Sequence, residues 1–187
     1  MGKRDDILNA TKTLLAERGF YGISMKLIAD TADMAAGTIY RYFENKETLI
    51  TELYQQITLE MAQLFFNGWS EQQTLEEKYK LLWRNTFDAV RQDPQRTAVI
   101  EMLFLQPSLA GHEAAFCEND AFYPLIAFYQ QGIDQGYFHN WQIHALITLS
   151  FDTAITLAKK ITRKHFNPDE AQINLVRDAS WAIIQKS

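Results

Sequence analysis

The sequence predicts an all-α protein, and three observations carry that expectation. Helix caps and helix stops recur from end to end, no stretch alternates apolar and polar residues between hairpin dipeptides, and apolar residues repeat at helical spacing. Ile7, Leu8, Thr11, Leu14 and Leu15 share one face of a first helix, and Gly19 stands where a left-handed residue ends it. Ser24 caps a short second helix, and Asn45 precedes a long one from Lys46 to about Phe66. Thr74 with Glu77 makes a capping box, and Asp93-Pro94 places a cap before a first-turn proline. Pro124, inside the pattern Phe122, Leu125, Ile126, Tyr129 and Ile133, should kink that helix or delay its start. Continuous helices are expected over 140–164 and 168–185, the second opened by Asn167-Pro168-Asp169-Glu170 as cap, proline and box glutamate. About nine helices and no sheet follow from this punctuation.

Composition narrows the class. The chain is 47% apolar and 22% charged, which excludes collagen-like and disordered chains. A single cysteine, Cys117, allows neither an internal disulfide nor a structural zinc site and reads as a small buried residue. The N-terminal residues lack the apolar stretch of a signal peptide, and the run Val99–Leu105 is short and broken by Glu101. A soluble, cytoplasmic protein with no membrane partner is expected. The first fifty residues hold seven basic and seven acidic groups, so the whole net charge of −5 lies in the remainder. Any polyanion must therefore meet a local patch, and the N-terminal end is the less repulsive one.

Helices before residue 45 are short and tightly joined, whereas those after it are long and apolar on several sides. The division expected is a helix-turn-helix domain over 1–45 and a larger helical domain over 46–187. Within 24–50, Ala29 is small enough for two helices to cross closely, Asp33 sits where the turn needs a positive φ, and Ile39 fills the gap between the helices.

The continuation Gly37-Thr38-Ile39-Tyr40-Arg41-Tyr42-Phe43, then Asn45-Lys46-Glu47 and Leu49, resembles the DNA-binding signature of the TetR family of bacterial transcriptional regulators. The similarity extends back through Ile7-Leu8-Asn9-Ala10-Thr11, Leu14–Phe20 and Ile28-Ala29, about the first quarter of the chain. The resemblance implies that the third helix enters the major groove of a double-stranded operator while helix 2 and the start of helix 4 grip the backbone, with Met25, Lys26, Ala36, Gly37, Thr38, Tyr40, Arg41, Tyr42 and Lys46 at the DNA. Tyr40 and Tyr42 can donate to phosphates, Thr38 can pack its methyl on thymine, and Lys46 adds charge at a helix start. On that reading, removing Lys46 flattens the salt dependence of binding by about one counterion. Ala35-Ala36 departs from the family's usual cap and polar residue, which leaves few hydrogen-bonding side chains for base readout.

The second domain is crowded with aromatics. Phe65, Trp83, Phe87, Glu101, Phe104, Phe122, Tyr123, Phe128, Phe151 and Asp152 are candidate ligand-binding residues, the two carboxylates being either paired within the domain or across a dimer, or counter-charges for a cationic amphiphile. The multidrug-efflux repressors of the family, the AcrR-like subgroup, bind such ligands, and this half resembles theirs. Helices apolar around their circumference also suit a two-fold four-helix interface, for which Ala154, Ile155, Ala158, Ile161, Ile173, Val176 and Trp181 are the candidates. The function implied is a homodimeric repressor released from a palindromic operator by a small apolar or cationic amphiphilic effector. An activator or co-repressor-dependent regulator, or a helical carrier without a DNA role, are the alternatives. No cofactor, metal or catalytic residue is expected: His112, His139, His144 and His165 lack ligand spacing, and no phosphate loop or nucleophile elbow occurs.

Overall fold

The computed structural model describes residues 2–104 and 120–186. Its regular structure is helical, save for an isolated antiparallel bridge between Phe138 and Gln185. Ten α-helices occur among the described residues: α1 Lys3–Arg18, α2 Met25–Thr31, α3 Ala36–Ile39, α4 Lys46–Phe65, α5 Leu75–Gln92, α6 Pro94–Phe104, α7 Tyr123–Asp134, α8 Ile143–Leu149, α9 Phe151–Thr162 and α10 Glu170–Ala182. Cys117 and His112 lie outside the described residues, as does the side chain of Phe104.

The helix boundaries follow local chemistry. Gly19, at φ +72°, ends α1, and its N–H donates to Leu15 O at 2.9 Å. The Ser24 hydroxyl accepts from Leu27 N, and the Asn45 amide oxygen accepts from Thr48 N at 2.8 Å. Thr74 and Glu77 exchange both bonds of a capping box. Pro94 is the first residue of α6, and Pro124 lies in the first turn of α7, so it delays that helix instead of kinking it.

Two expected boundaries are corrected. Asp169, not Asn167, caps α10, and its box partner is Gln172, because Pro168 falls before the helix. The stretch 140–164 is not one helix. At Ser150 the backbone turns to φ −121°, ψ −73°, separating α8 from α9. The Ser150 hydroxyl donates to Leu146 O and is held by the Tyr129 hydroxyl at 2.7 Å, so a side chain takes over where the helical ladder is interrupted.

The described residues form two compact units, 2–60 with 95–104 and 61–94 with 120–186. In the first, Ile7, Leu15, Ile28, Ala29, Ile39, Phe43 and Leu49 are buried and bring α1, α2, α3 and the start of α4 around one core. In the second, α9 lies along α5, and α10 packs on both. Its interior is aromatic: Tyr79, Trp83, Phe87, Phe122, Phe128, Tyr129 and Phe138 are all fully buried.

Candidate nucleic-acid interface

The reading segment is built by a short turn between α2 and α3. Asp33 adopts φ +53°, a conformation aspartate tolerates better than most residues, and Met34 N reaches back to Ala29 O at 2.9 Å. Ile39 and Phe43 are buried beneath α3. The opposite side therefore faces out, and Ala36, Gly37, Tyr40 and Arg41 are exposed there, with Thr38 and Tyr42 half-buried beside them. Tyr40, the residue that caps the end of α3, is 57% exposed. Lys26 projects from the first turn of α2 and is exposed as well. Ala35 caps α3 without any side-chain hydrogen bond.

Two expected contacts are revised. Met25 is buried in the core of this unit, since its apolar side chain at the start of α2 turns inward. Lys46 is not a free charge. Its ammonium donates to the carbonyls of Phe20 at 2.7 Å and Ile23 at 3.1 Å and lies over the Phe20 ring. A residue the sequence did not single out, Arg4, is instead engaged on three partners, Glu52, the Tyr42 carbonyl and the Phe43 ring. No local spacing could reveal a partner 48 positions away.

In the second unit, the residues expected to line a ligand site largely pack on one another. Phe65 meets Phe122 and Phe151 edge-on at 5.9 and 5.7 Å. Trp83 stacks on Phe87 and donates from its indole to the Thr153 hydroxyl at 2.9 Å. Phe128 contacts Trp69, Tyr79, Tyr129 and Phe138. Tyr123 departs from expectation: it is 69% exposed at the start of α7 and is not part of this cluster. Burial raises the Asp152 carboxyl above its ordinary range, and a hydrogen bond with Thr148 offsets part of that. Glu101, in the first unit, is half-buried on α6 and partnered.

The proposed subunit face also changes. Ala154, Ala158 and Ile173 are buried by their own chain and have no surface left for a partner. Trp181, half-buried, is already packed on Tyr79 and Phe138. Ile155, Ile161 and Val176 keep part of their surface, but on α10 and at its end the large exposed apolar residues are Leu175, at 67%, and Ile183, at 47%. Both lie in the expected apolar helix over 168–185, and helical periodicity alone could not say which side of it turns outward.

Comparison with known proteins agrees with this architecture. The family model "Bacterial regulatory proteins, tetR family" matches residues 7–53, and a tetracyclin repressor-like C-terminal domain model matches residues 74–185. An uncharacterised helix-turn-helix-type transcriptional regulator of Haemophilus influenzae is 28% identical over 182 residues, spanning 97% of this chain and 95% of its own. A TetR-family regulator structure from Vibrio parahaemolyticus is 30% identical, covers 100% of both chains and superposes with a TM-score of 0.89. A FadR structure from Bacillus subtilis, solved with stearoyl-CoA, shares the fold at a TM-score of 0.76 and 22% identity over 96% of this chain and 98% of that one.

The chain thus belongs to the TetR family: it is a ligand-responsive, DNA-binding transcriptional regulator. Members of this family act on DNA operators as dimers and are regulators, not enzymes. Among the described residues, no helix is long and apolar enough to cross a membrane.

Proposed function

We propose that this protein is a homodimeric repressor that reads a palindromic operator through Lys26, Gly37, Thr38, Tyr40, Arg41 and Tyr42 and is released by an effector bound in its C-terminal domain. The observation that carries the reading is the exposed face of α3 and the turn that follows it. A packed core lies on one side, and a tyrosine, an arginine and an open glycine stand on the other. Leu175 and Ile183, with Ile155, Ile161 and Val176, support a subunit interface built on α9 and α10. Selection of bound duplexes from random DNA tests the reading. A palindrome with half-sites about one helical turn apart is expected, and recovery of no preferred sequence would refute it.

The effector proposed is an apolar acyl chain with a polar head. A relative named a fatty acid metabolism regulator protein and the FadR structure in complex with stearoyl-CoA support that choice. A second reading, the cationic amphiphile of the AcrR-like subgroup, is favoured by one observation, the half-buried Asp152 carboxyl. Release of the selected duplex separates them. Stearoyl-CoA acting alone supports the first. A quaternary ammonium amphiphile that acts on the wild type and fails on Asp152→Asn supports the second.

A further inference from the structure

Two cations inside the first unit hold the reading segment from opposite ends. At one end, Lys46, the first residue of α4, directs its ammonium at the carbonyls of Phe20 and Ile23, 2.7 and 3.1 Å away, with the Phe20 ring centre at 4.5 Å. Ile23 immediately precedes Ser24, the cap that starts α2. The ammonium therefore fixes α4 to the point where the helix-turn-helix begins. At the other end, Arg4 on α1 donates from Nε to one Glu52 oxygen at 2.6 Å and pairs through a second nitrogen with the other. The same guanidinium donates to the Tyr42 carbonyl at 3.3 Å and lies 4.7 Å from the Phe43 ring centre. Glu52 belongs to the second turn of α4, and Tyr42 closes the segment that follows α3. Everything between residues 23 and 42 is thus fastened to the first two turns of α4 by one lysine and one arginine.

Both groups occupy their partners in ways that suit holding more than docking. The ammonium has three donors, and two are directed at carbonyls of the short 3-10 turn Phe20–Gly22 and the residue after it. The guanidinium presents a flat fork, and a two-oxygen carboxylate, a carbonyl and an aromatic face occupy it.

We propose that Lys46 and Arg4 are positioning residues for operator recognition: they set the orientation of α2 and α3 relative to α4, and neither is a phosphate contact. The proposal rests on the DNA-binding reading above. It predicts an asymmetry between sequences. A phosphate contact contributes to every duplex alike, whereas an orientation contributes only where base edges must be met in register.

The test uses the full chain, a duplex it selects from random DNA, and a scrambled duplex of equal length. Lys46→Met keeps the stem over Phe20 and removes the ammonium; Arg4→Met does the same over Phe43. Each is expected to weaken binding to the selected duplex by about five- to tenfold. Affinity for the scrambled duplex and the log–log salt slope should stay at wild-type values. A slope lower by about 0.9, with equal loss on both duplexes, identifies a phosphate contact and overturns the proposal. Unchanged affinity for the selected duplex overturns it too. If Lys46→Met does not fold, Lys46→Gln, which retains a donor, is measured. Failure of that variant also to fold makes the residue a folding requirement and refutes a positioning role. A wild-type chain that selects no duplex would instead sink the DNA-binding reading itself.

Discussion

Gly37 in the reading head and Gly132 in the second unit are both helical glycines, and the structure needs them for opposite reasons. A Cβ on Gly132 would lie 2.1 Å from the Phe138 ring, so the glycine lets an aromatic side chain press against the backbone of α7. A Cβ on Gly37 would meet nothing within 4 Å, and the residue sits in a helix at no positive φ. Nothing among the described residues requires it. One region has used its free space for packing; the other has left space that the proposed function assigns to DNA.

That contrast can be broken by experiment. Gly132→Ala should cost about 3 kcal/mol or more, because the new methyl collides with a fully buried ring, and denaturant unfolding measures it. Leu175→Glu, on the exposed side of α10, should leave folding intact and weaken self-association by about two orders of magnitude in sedimentation. An unchanged dimer would move the interface elsewhere. Gly37→Ala should leave the fold as stable as before or raise stability by up to about 1 kcal/mol, since alanine is the better helix former. The same variant should lose about tenfold in operator affinity by fluorescence anisotropy. If it keeps full affinity, the open space at Gly37 has no recognition role.

The smallest effect concerns Asp152. Its raised carboxyl means that the folded chain holds this proton more tightly than the unfolded chain does. The resulting penalty is absent at low pH and grows as pH rises from the ordinary carboxylate range through the folded value. Asp152→Asn should therefore raise stability at neutral pH by a few tenths of a kcal/mol, discounted for its partial exposure, and change nothing at about pH 3. A gain that persists at acid pH would point to packing instead of ionisation.

The two regions also differ in how far the sequence could be read. In the head, meaning is local: Ser24 lies three residues from the N–H it caps, and Asp33 six from the residue that plugs the turn. Short spacings of this kind specify geometry, so the helix-turn-helix and its exposed face were legible. Arg4 and Lys46 were not, because their partners lie 48 and 26 positions away and the pairing exists only after folding. In the second unit the helices are apolar around much of their circumference. Periodicity then announces burial without direction: it suits a partner's face at Ala154 and Ala158, which their own chain buries. The aromatic residues stand out in the sequence as a set, yet a set of rings reads the same whether it encloses a ligand or fills a core. The break at Ser150 was hidden for a related reason, since a serine between two apolar turns is an ordinary helical residue until Tyr129 binds its hydroxyl.

That break bears on the order in which the protein assembles. α8 and α9 are 7 and 12 residues long, at or below the length at which an isolated helix holds together in water, whereas α4 and α5 run to 20 and 18. The longer pair can persist as transient helices early in folding. The shorter pair must wait for a surface to settle on, and the Tyr129–Ser150 bond can close only once they have. In native-state hydrogen exchange, the amides of α8 should therefore open before those of α5.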